Sequence, residues 1–441
     1  MSVALQFGKT PKARPLSPLR SALVGALDIG TSKIVCLIAR LKPQPPQDIL
    51  RRRTHTIEIV GAGHIVARGM KAGAVIDLAE AEQAIRQAAA IAERAANMQL
   101  QRVVVSISGG KPGSELISAS VEVKAKTVTE YDIARVLAAG SQHLARPDRA
   151  IVHSLPISYS LDEVAGIRDP RGMVGRRFGT DIHLLTADLA VARNLMLAIE
   201  RCHIDVDAMV ASPYAAGLSV IADDEADLGT AVVDMGAGTT TIAALSAGRF
   251  IHVDGFALGG YHITMDLARG LSASVYDAER IKTLYGSVLA GGSDERDMIT
   301  IQPVGGEERE PPQFISRAIL TRIIKPRVEE IVEMVRDRLA QSPFAAEPRG
   351  RVILTGGASQ LVGLPELAAR IIGRPVRVGR PLGISGLPDA AKGPAFAAAA
   401  GLLVYPQAAH LEHFEPRRTR QLMTGTGGYI ARVGRWLRES F

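Results

Sequence analysis

Apolar residues fall in short runs that end on turns bearing aspartate and glycine. Leu23–Asp28 is one such run; it stops at Asp28-Ile29-Gly30-Thr31-Ser32-Lys33, and Ile34–Ala39 follows at once. The pattern predicts strand, tight turn, strand. Pro43, Pro45, Pro46 and the Arg51–Arg53 triplet read as a loop, and Ile57–Val66 as a third strand. Over Leu78–Ala96 the period becomes helical, with Ile85, Ala88, Ala89, Ala92 and Ala96 along one side. Residues 101–181 change texture. Val103–Ser108, Ser118–Val123 and Ile151–Tyr159 read as strands, and Thr129 caps a helix over Glu130–Ala139, which together predict an α+β insert. Helical spacing returns at Ala187–Arg201.

A second strand–turn–strand is predicted over Ala231–Leu245, centred on Asp234-Met235-Gly236-Ala237-Gly238-Thr239-Thr240. Phe250–Phe256 adds a strand, and Gly259-Gly260 precedes a helix. Helices are expected near Tyr276–Tyr285 and Ser316–Leu339, the second broken or restarted at Pro326. Val352–Leu354 is a strand running into Thr355-Gly356-Gly357-Ala358-Ser359, and an Ala-rich helix, Pro394–Leu403, ends the body. Residues 1–20, rich in Pro and bases, read as a disordered arm, and 406–428 as a flexible linker.

The last segment is periodic again. Ile430, Val433, Leu437 and Phe441 share one helical face, Trp436 flanks it, and Arg432, Arg435 and Arg438 run alongside. An apolar stripe bordered by cations suits a helix lying in a membrane interface; a terminal helix docked on the body by the same face is the alternative.

Composition sharpens this reading. A chain of 441 residues with 47% apolar and 22% charged positions is too long for one small core and is not wholly disordered. Two cysteines, Cys36 and Cys202, exclude a disulfide scaffold. The net charge of +7 sits in the two tails, +4 in residues 1–20 and +3 in 406–441, so the residues between them are neutral. Nucleic-acid binding would want a basic face on a folded domain and stacking aromatics, which make up only 4% here, so no nucleic acid is expected. No segment reads as a secretory signal, and the longest apolar run, Pro394–Tyr405, is short of the ~18–20 residues that span a bilayer.

The two Asp-x-Gly turns carry the candidate chemistry. Glycine lets backbone approach a ligand, and successive turn N–H groups form an anion site. Thr31 and Ser32 add hydroxyls, Lys33 adds a cation, and Asp28 and Asp234 at strand ends could hold Mg²⁺ through water. One such turn is usually a plain hairpin. Its recurrence 206 residues later, with Gly356-Gly357 as a third glycine-rich strand end, points to two related lobes facing one ligand. Neither a Rossmann G-x-G-x-x-G nor a P-loop is present at these turns.

These three stretches resemble the phosphate and adenosine motifs of the actin-like ATPase superfamily. The resemblance implies an α/β fold of two lobes with mixed β-sheets flanked by helices, binding ATP and Mg²⁺ in the cleft between them. Asp28, Gly30, Thr31, Ser32 and Lys33 match the first phosphate loop, and Asp234, Gly236, Ala237, Gly238, Thr239 and Thr240 the second. Gly259, Gly260, Gly356, Gly357 and Ala358 match the remaining nucleotide contacts, and Glu279 and Lys282 the pair that touches ribose and base in bacterial actins. A bare i,i+3 helix pair is the other reading of Glu279 and Lys282.

Within the superfamily the chain resembles the FtsA family of bacterial cell-division proteins over residues 21–441. The resemblance rests on Ile29–Lys33, Val232–Thr240, Asp277–Lys282, Val352–Ala358, Gly383-Ile384-Ser385-Gly386-Leu387 and Trp436–Phe441. It implies a first lobe of residues 21–100 plus 182–216, an FtsA-type inserted subdomain at 101–181, and a second lobe of 217–265 plus 346–405. Residues 266–345 would form a small partner-binding subdomain, and 429–441 an amphipathic membrane-targeting helix. Ile430, Val433, Arg435, Trp436, Leu437, Arg438 and Phe441 would meet an anionic inner membrane, on its cytoplasmic side at the division septum. Arg317 and Arg327 would meet the C-terminal peptide of FtsZ; self-association into filaments and recruitment of other division proteins are further implications. Bacterial actins place a Glu before a Pro where this chain has Ser212-Pro213, and a serine is no carboxylate base, so slow hydrolysis at best is expected. Rival readings are a sugar-kinase-like phosphotransferase and a pilus-assembly actin homologue; the first lacks a clear acceptor base, and neither has use for the basic amphipathic tail.

Overall fold

The computed structural model describes residues 10–412 except 14, 45–49, 51–52, 142–145, 292–294 and 303–312. β1 (Ala22–Ile29) and β2 (Lys33–Pro43) form the first antiparallel hairpin, closing at the pair Ile29↔Ile34. β3 (His55–Val66) adds antiparallel to β2. A small hairpin, β4 (Met70–Lys71) and β5 (Ala74–Val75), leads into α1 (Leu78–Ala96). Asp77 caps α1 by accepting the Glu80 N–H, and Asn97 ends it in the left-handed conformation. β6 (Arg102–Ile107) then pairs parallel with β1.

β7 (Gly113–Glu122), α2 (Glu130–Ser141), β8 (Arg149–Leu161), β9 (Val164–Ile167) and β10 (Arg177–Asp188) make a separate unit. Its sheet runs β7-β10-β8-β9, and Ile133, Val136 and Leu137 of α2 bury against Leu161, Phe178, Ile182 and Leu184. α3 (Leu189–Glu200), capped by Asp188, returns the chain to β11 (Asp205–Ala211), parallel to β6, and α4 (Ser212–Val220) follows.

After α5 (Asp223–Leu228) the first plan repeats. β12 (Thr230–Met235) and β13 (Thr240–Ser246) form the second hairpin, β14 (Arg249–Phe256) adds antiparallel, and α6 (Gly260–Gly270) and α7 (Val275–Tyr285) follow. β15 (Met298–Ile301) and β16 (Gln313–Ser316) pair with each other ahead of α8 (Arg317–Ala340). β17 (Arg351–Thr355), α9 (Leu364–Ile372), β18 (Val376–Val378), β19 (Ile384–Ser385) and α10 (Ala397–Ala408) complete the chain as described. Among the described residues the two large sheets run β11-β6-β1-β2-β3-β19 and β14-β13-β12-β17-β18. Each is a hairpin with one further antiparallel strand on one side and two parallel strands on the other, and in the first sheet β19 adds a sixth strand, parallel to β3.

Several boundaries differ from the sequence-based expectation. Val103–Ser108 belongs to the first sheet, not to the insert. β6 is buried on both faces from Val103 to Ile107, as a central parallel strand is, whereas β7 alternates with one wet face. β10 carries the insert on to Asp188, and β11 was not anticipated. Pro326 neither breaks nor restarts α8. The lost hydrogen bond costs about 3 kcal/mol, and burying Leu320, Ile324, Val328 and Ile331, each worth ~1.5–3 kcal/mol, outweighs it. The segment from β19 through α10, assigned to the second lobe, lies on the first: β19 pairs with β3, and Ala399, Leu402, Leu403, Val404 and Tyr405 join the core around β1, β2 and β6.

The arm and the linker are shorter than expected as well. Residues 10–13 lie against the body: Thr10 donates its N–H to Ile151 O at 3.2 Å, and Pro11 O accepts the Met209 N–H at 3.2 Å. Residues 406–412 complete α10 and a short turn ending at Glu412, whose side chain is 1% exposed. Glu412 accepts from Lys12 Nζ at 3.1 Å and from His153 Nδ1 at 2.7 Å, so the two ends of the described chain hold each other.

Burial raises the Glu412 pKa, but Lys12 and His153 together outweigh it and bring the carboxylate down to about 2. A depressed carboxylate stabilises the fold above its unfolded pKa, and that contribution disappears as pH falls through the folded value. Glu412→Gln is expected to lower stability at neutral pH by on the order of 3 kcal/mol and to flatten the loss of stability between about pH 5 and 2. Urea unfolding at stepped pH measures both; an unchanged acid limb would contradict the assignment.

Candidate functional site

The two hairpin turns are geometric copies. The Gly30 N–H donates to Lys33 O at 3.0 Å, and the Gly236 N–H donates to Thr239 O at 2.9 Å. They also touch: a Cβ on Gly238 would lie 2.4 Å from Thr31 Oγ1. The third strand end, after β17, closes on the second turn. Gly356 has φ +84°, and a Cβ there would lie 2.5 Å from Asp234 Oδ1, so only glycine meets both demands. The second turn is seated on the start of α6, where Gly260 and Tyr261 donate their N–H groups to Gly236 O at 2.9 Å and Ala237 O at 2.8 Å.

Between the lobes these elements line a cleft of about 470 Å³. Asp28, Gly30, Thr31, Ser32 and Lys33 reach it from the first turn, and Asp234, Gly236, Ala237, Gly238 and Thr239 from the second. Gly260, Glu279, Lys282, Gly356, Gly357 and Ala358 complete the expected wall. Two expected residues do not line it. Thr240 is fully buried at the start of β13 and donates its hydroxyl to Leu258 O at 2.8 Å. Gly259 stands behind the wall as the cap residue of α6, its N–H on His262 Nδ1 at 3.1 Å.

The cleft is electrostatically tense. Burial raises the Asp28 pKa against the pull of the Ser106 hydroxyl, 2.6 Å away, and of Lys33. Asp234 is pushed up to about 7, by burial first and then by the charge of Asp28, with Lys33 opposing. Lys33, itself depressed by burial, lies 3.9 Å over the Phe396 ring. Two half-buried carboxylates at the cleft wall therefore share one cation. A hydrated divalent cation bound through one or two carboxylates would relieve that tension, and no cluster of three or more acidic, His or Cys ligands exists among the described residues. Turn N–H groups, hydroxyls and Lys33 suit the phosphates of an anion beside it.

Lys282 braces α7 on α6. It donates to Gly260 O at 3.0 Å, Thr264 Oγ1 at 2.8 Å and Glu279 Oε2 at 2.7 Å, while Glu279 stays about half exposed at the cleft. Ser212, at the start of α4, is 3% exposed and lines the cleft. Ala395, in the short turn before α10, and Ala398, in the first turn of α10, also line it. Small apolar side chains of this kind carry no motif that marks them in the sequence.

Arg317 and Arg327 lie outside the cleft lining. Arg317 opens α8, and Arg327 is bonded to Asp266 at 2.6 and 3.3 Å and to Glu330, so a partner's acid must compete for it. Ile430, Val433, Arg435, Trp436, Leu437, Arg438 and Phe441 fall outside the described residues.

The family described as "Cell division protein FtsA" matches residues 231–401, and "SHS2 domain inserted in FTSA" matches 109–186. The chain is 49% identical to a cell division protein FtsA of Agrobacterium fabrum over 432 residues, 98% of each chain. It is 31% identical to that of Escherichia coli over 426 residues, 95% of this chain and 98% of the other. Among solved structures, a PilM–PilN type IV pilus biogenesis complex aligns with TM-score 0.60 at 17% identity, covering 87% of this chain and 98% of the other. MreB5 of Spiroplasma citri bound to ADP aligns with TM-score 0.51 at 13% identity, covering 89% and 98%. These two likenesses establish an actin-like α/β fold.

The raised pKa of Asp234 means that its ionised form costs stability, a cost absent below pH ~4 and complete above about 7. Asp234→Asn should raise the melting temperature of the ligand-free protein at pH 8, by a stabilisation on the order of a few kcal/mol, and the gain should shrink at pH 5. Equal melting of both proteins at pH 8 would contradict the electrostatic picture.

Proposed function

The chain belongs to the FtsA family of cell-division proteins, and from that premise we propose that it is an ATP-binding actin homologue that anchors FtsZ to the membrane. One observation carries the nucleotide part of this reading: two copies of one Asp-x-Gly turn touch across a cleft, with Gly356 packed on the second aspartate. Gly30–Lys33 and Gly236–Thr239 would hold the phosphates of ATP. Asp28 and Asp234 would hold Mg²⁺ through its water shell, which supplies charge neutralisation there. Glu279 and Lys282, beside Gly356–Ala358, would meet the ribose and base. MreB5 of Spiroplasma citri, which shares the fold, is bound to ADP, and this supports the nucleotide reading.

Ser212 lines the cleft, and the resemblance to bacterial actins aligns it with their carboxylate before proline. Its hydroxyl cannot take a proton from water at neutral pH, so turnover is slow and the nucleotide acts chiefly as a structural effector.

The remaining parts of the reading rest on family and sequence. Residues 429–441 would lie in the cytoplasmic leaflet of the inner membrane at the septum, where each Arg contributes about 1 kcal/mol at an anionic surface. A single helix of this kind binds reversibly; linked copies in a filament would gain ~10²–10⁴ by avidity. The α8 region with Arg317 and Arg327 would receive the FtsZ C-terminal peptide, and the assembled protein would recruit later division proteins.

Equilibrium dialysis with ATP tests the first part. Asp28→Asn is expected to weaken Mg²⁺-dependent binding at least about tenfold, with little effect when EDTA is present; equal affinity with and without Mg²⁺ in both proteins would refute the metal assignment. Cosedimentation with anionic liposomes tests the second. Trp436→Glu with Leu437→Glu should move the protein to the supernatant, and unchanged pelleting would reject the membrane role of 429–441.

A further inference from the structure

Four segments far apart in sequence meet at a buried histidine that the nucleotide reading does not use. His153, on β8, has no exposed surface. Its Nε2 accepts the Ala211 N–H at 3.0 Å, so that nitrogen carries no proton. The proton is therefore on Nδ1, which donates to Glu412 Oε1 at 2.7 Å. Glu412 Oε2 in turn accepts from Lys12 Nζ at 3.1 Å, and Lys12 also donates to Val152 O. Thr10 fastens the same stretch through its hydroxyl to Ile151 O at 3.0 Å. The rings of Tyr214 and Tyr405 close the site, with centroids 4.5 and 6.0 Å from the imidazole.

The position of Ala211 gives this arrangement its consequence. Ala211 ends β11 and is the cap residue of α4, and Ser212 beside it lines the cleft. An alanine has no side-chain oxygen for a cap, and Pro213 has no N–H, so this helix start is held by few bonds. His153 supplies one of them, and only while Nε2 is an acceptor. That tautomer depends on a carboxylate claiming Nδ1–H, and a carboxylate buried at 1% exposure depends on a cation. The cation comes from the N-terminal arm. Removing Lys12 leaves Glu412 to favour an imidazolium, whose Nε2–H would face the Ala211 N–H donor to donor.

We propose that His153 is a positioning residue of the nucleotide cleft, and that the N-terminal strap sets it through the Lys12–Glu412 pair. Strap and cleft are then energetically coupled, although some 200 residues separate Lys12 from Ala211 in the sequence. Coupling of this kind is reciprocal, so a ligand that favours the ordered start of α4 also tightens the strap. The inference rests on the nucleotide reading above for its ligand, but not for the state of Ala211.

The test uses the full-length protein with Lys12→Met, Lys12→Arg and Glu412→Gln. Affinity for Mg²⁺-ATP and amide exchange of residues 209–214 and 10–13 are measured together, with thermal unfolding as a check on the fold. Lys12→Met should weaken ATP binding about fivefold or more and speed exchange at Ala211; Lys12→Arg should restore both. In the unaltered protein, ATP should slow exchange at Met209, whose N–H the strap receives. Unchanged affinity and unchanged Ala211 exchange in Lys12→Met overturn the proposal. If the unaltered protein binds no ATP, the nucleotide reading fails by itself, and exchange at Ala211 in Lys12→Met still decides the positioning claim. If Glu412→Gln does not fold, the comparison of Lys12→Met with the charge-keeping Lys12→Arg carries the test.

Discussion

Two aspartates brought to one cleft from equivalent strands of two lobes are the constraint on which the rest of this structure turns. Asp28 and Asp234 sit at equivalent ends of two equivalent strands; burial raises the pKa of both, and the charge of Asp28 raises the cost of ionising Asp234 further. A fold stable by only about 5–15 kcal/mol does not keep such a pair without a use for it. Lys33 meets part of the demand, and the rest is left for a ligand that brings positive charge.

Much of the surrounding architecture serves to hold that pair. The repeated sheet plan delivers both aspartates from central strands, where hydrogen bonds on both sides fix their position. Glycine appears where the backbone must come within reach of the other lobe, at Gly238 against Thr31 and at Gly356 against Asp234. The start of α6 receives the second turn by two N–H donors, and Lys282 ties α7 to that same turn of helix. The insert is fastened to the second lobe as well: Ser114 donates to Val253 O at 2.8 Å, and His183 Nδ1 donates to Phe250 O at 3.1 Å. A change in the angle between the lobes thus acts on the insert through β14.

Local pattern made the hairpins, α1 and the cleft wall legible in the sequence, because turn chemistry and hydrophobic period are local properties. Leu78–Ala96 came out with its bounds intact for that reason. What the sequence hid was decided by packing between distant segments. β6 is a short apolar run directly ahead of the insert's own strands, and its partners, β1 and β11, place it in the first sheet. Pro326 looks like a break until the buried stripe on both sides of it is counted. α10 is apolar all round, so no face indicated which lobe it joins. The basic arm looked disordered because its main partner, Glu412, lies 400 positions away. Its positive charge, at first only a number in a tail, includes one lysine with a buried, specific counterion.

A crystal structure of the full-length protein with Mg²⁺ and a non-hydrolysable ATP analogue tests the central claim most directly. The account predicts phosphates between the Gly30–Lys33 and Gly236–Thr239 turns, with a hydrated Mg²⁺ bridged by water to Asp28 and Asp234. Nucleotide bound away from those turns, or a metal held without either aspartate, would contradict it.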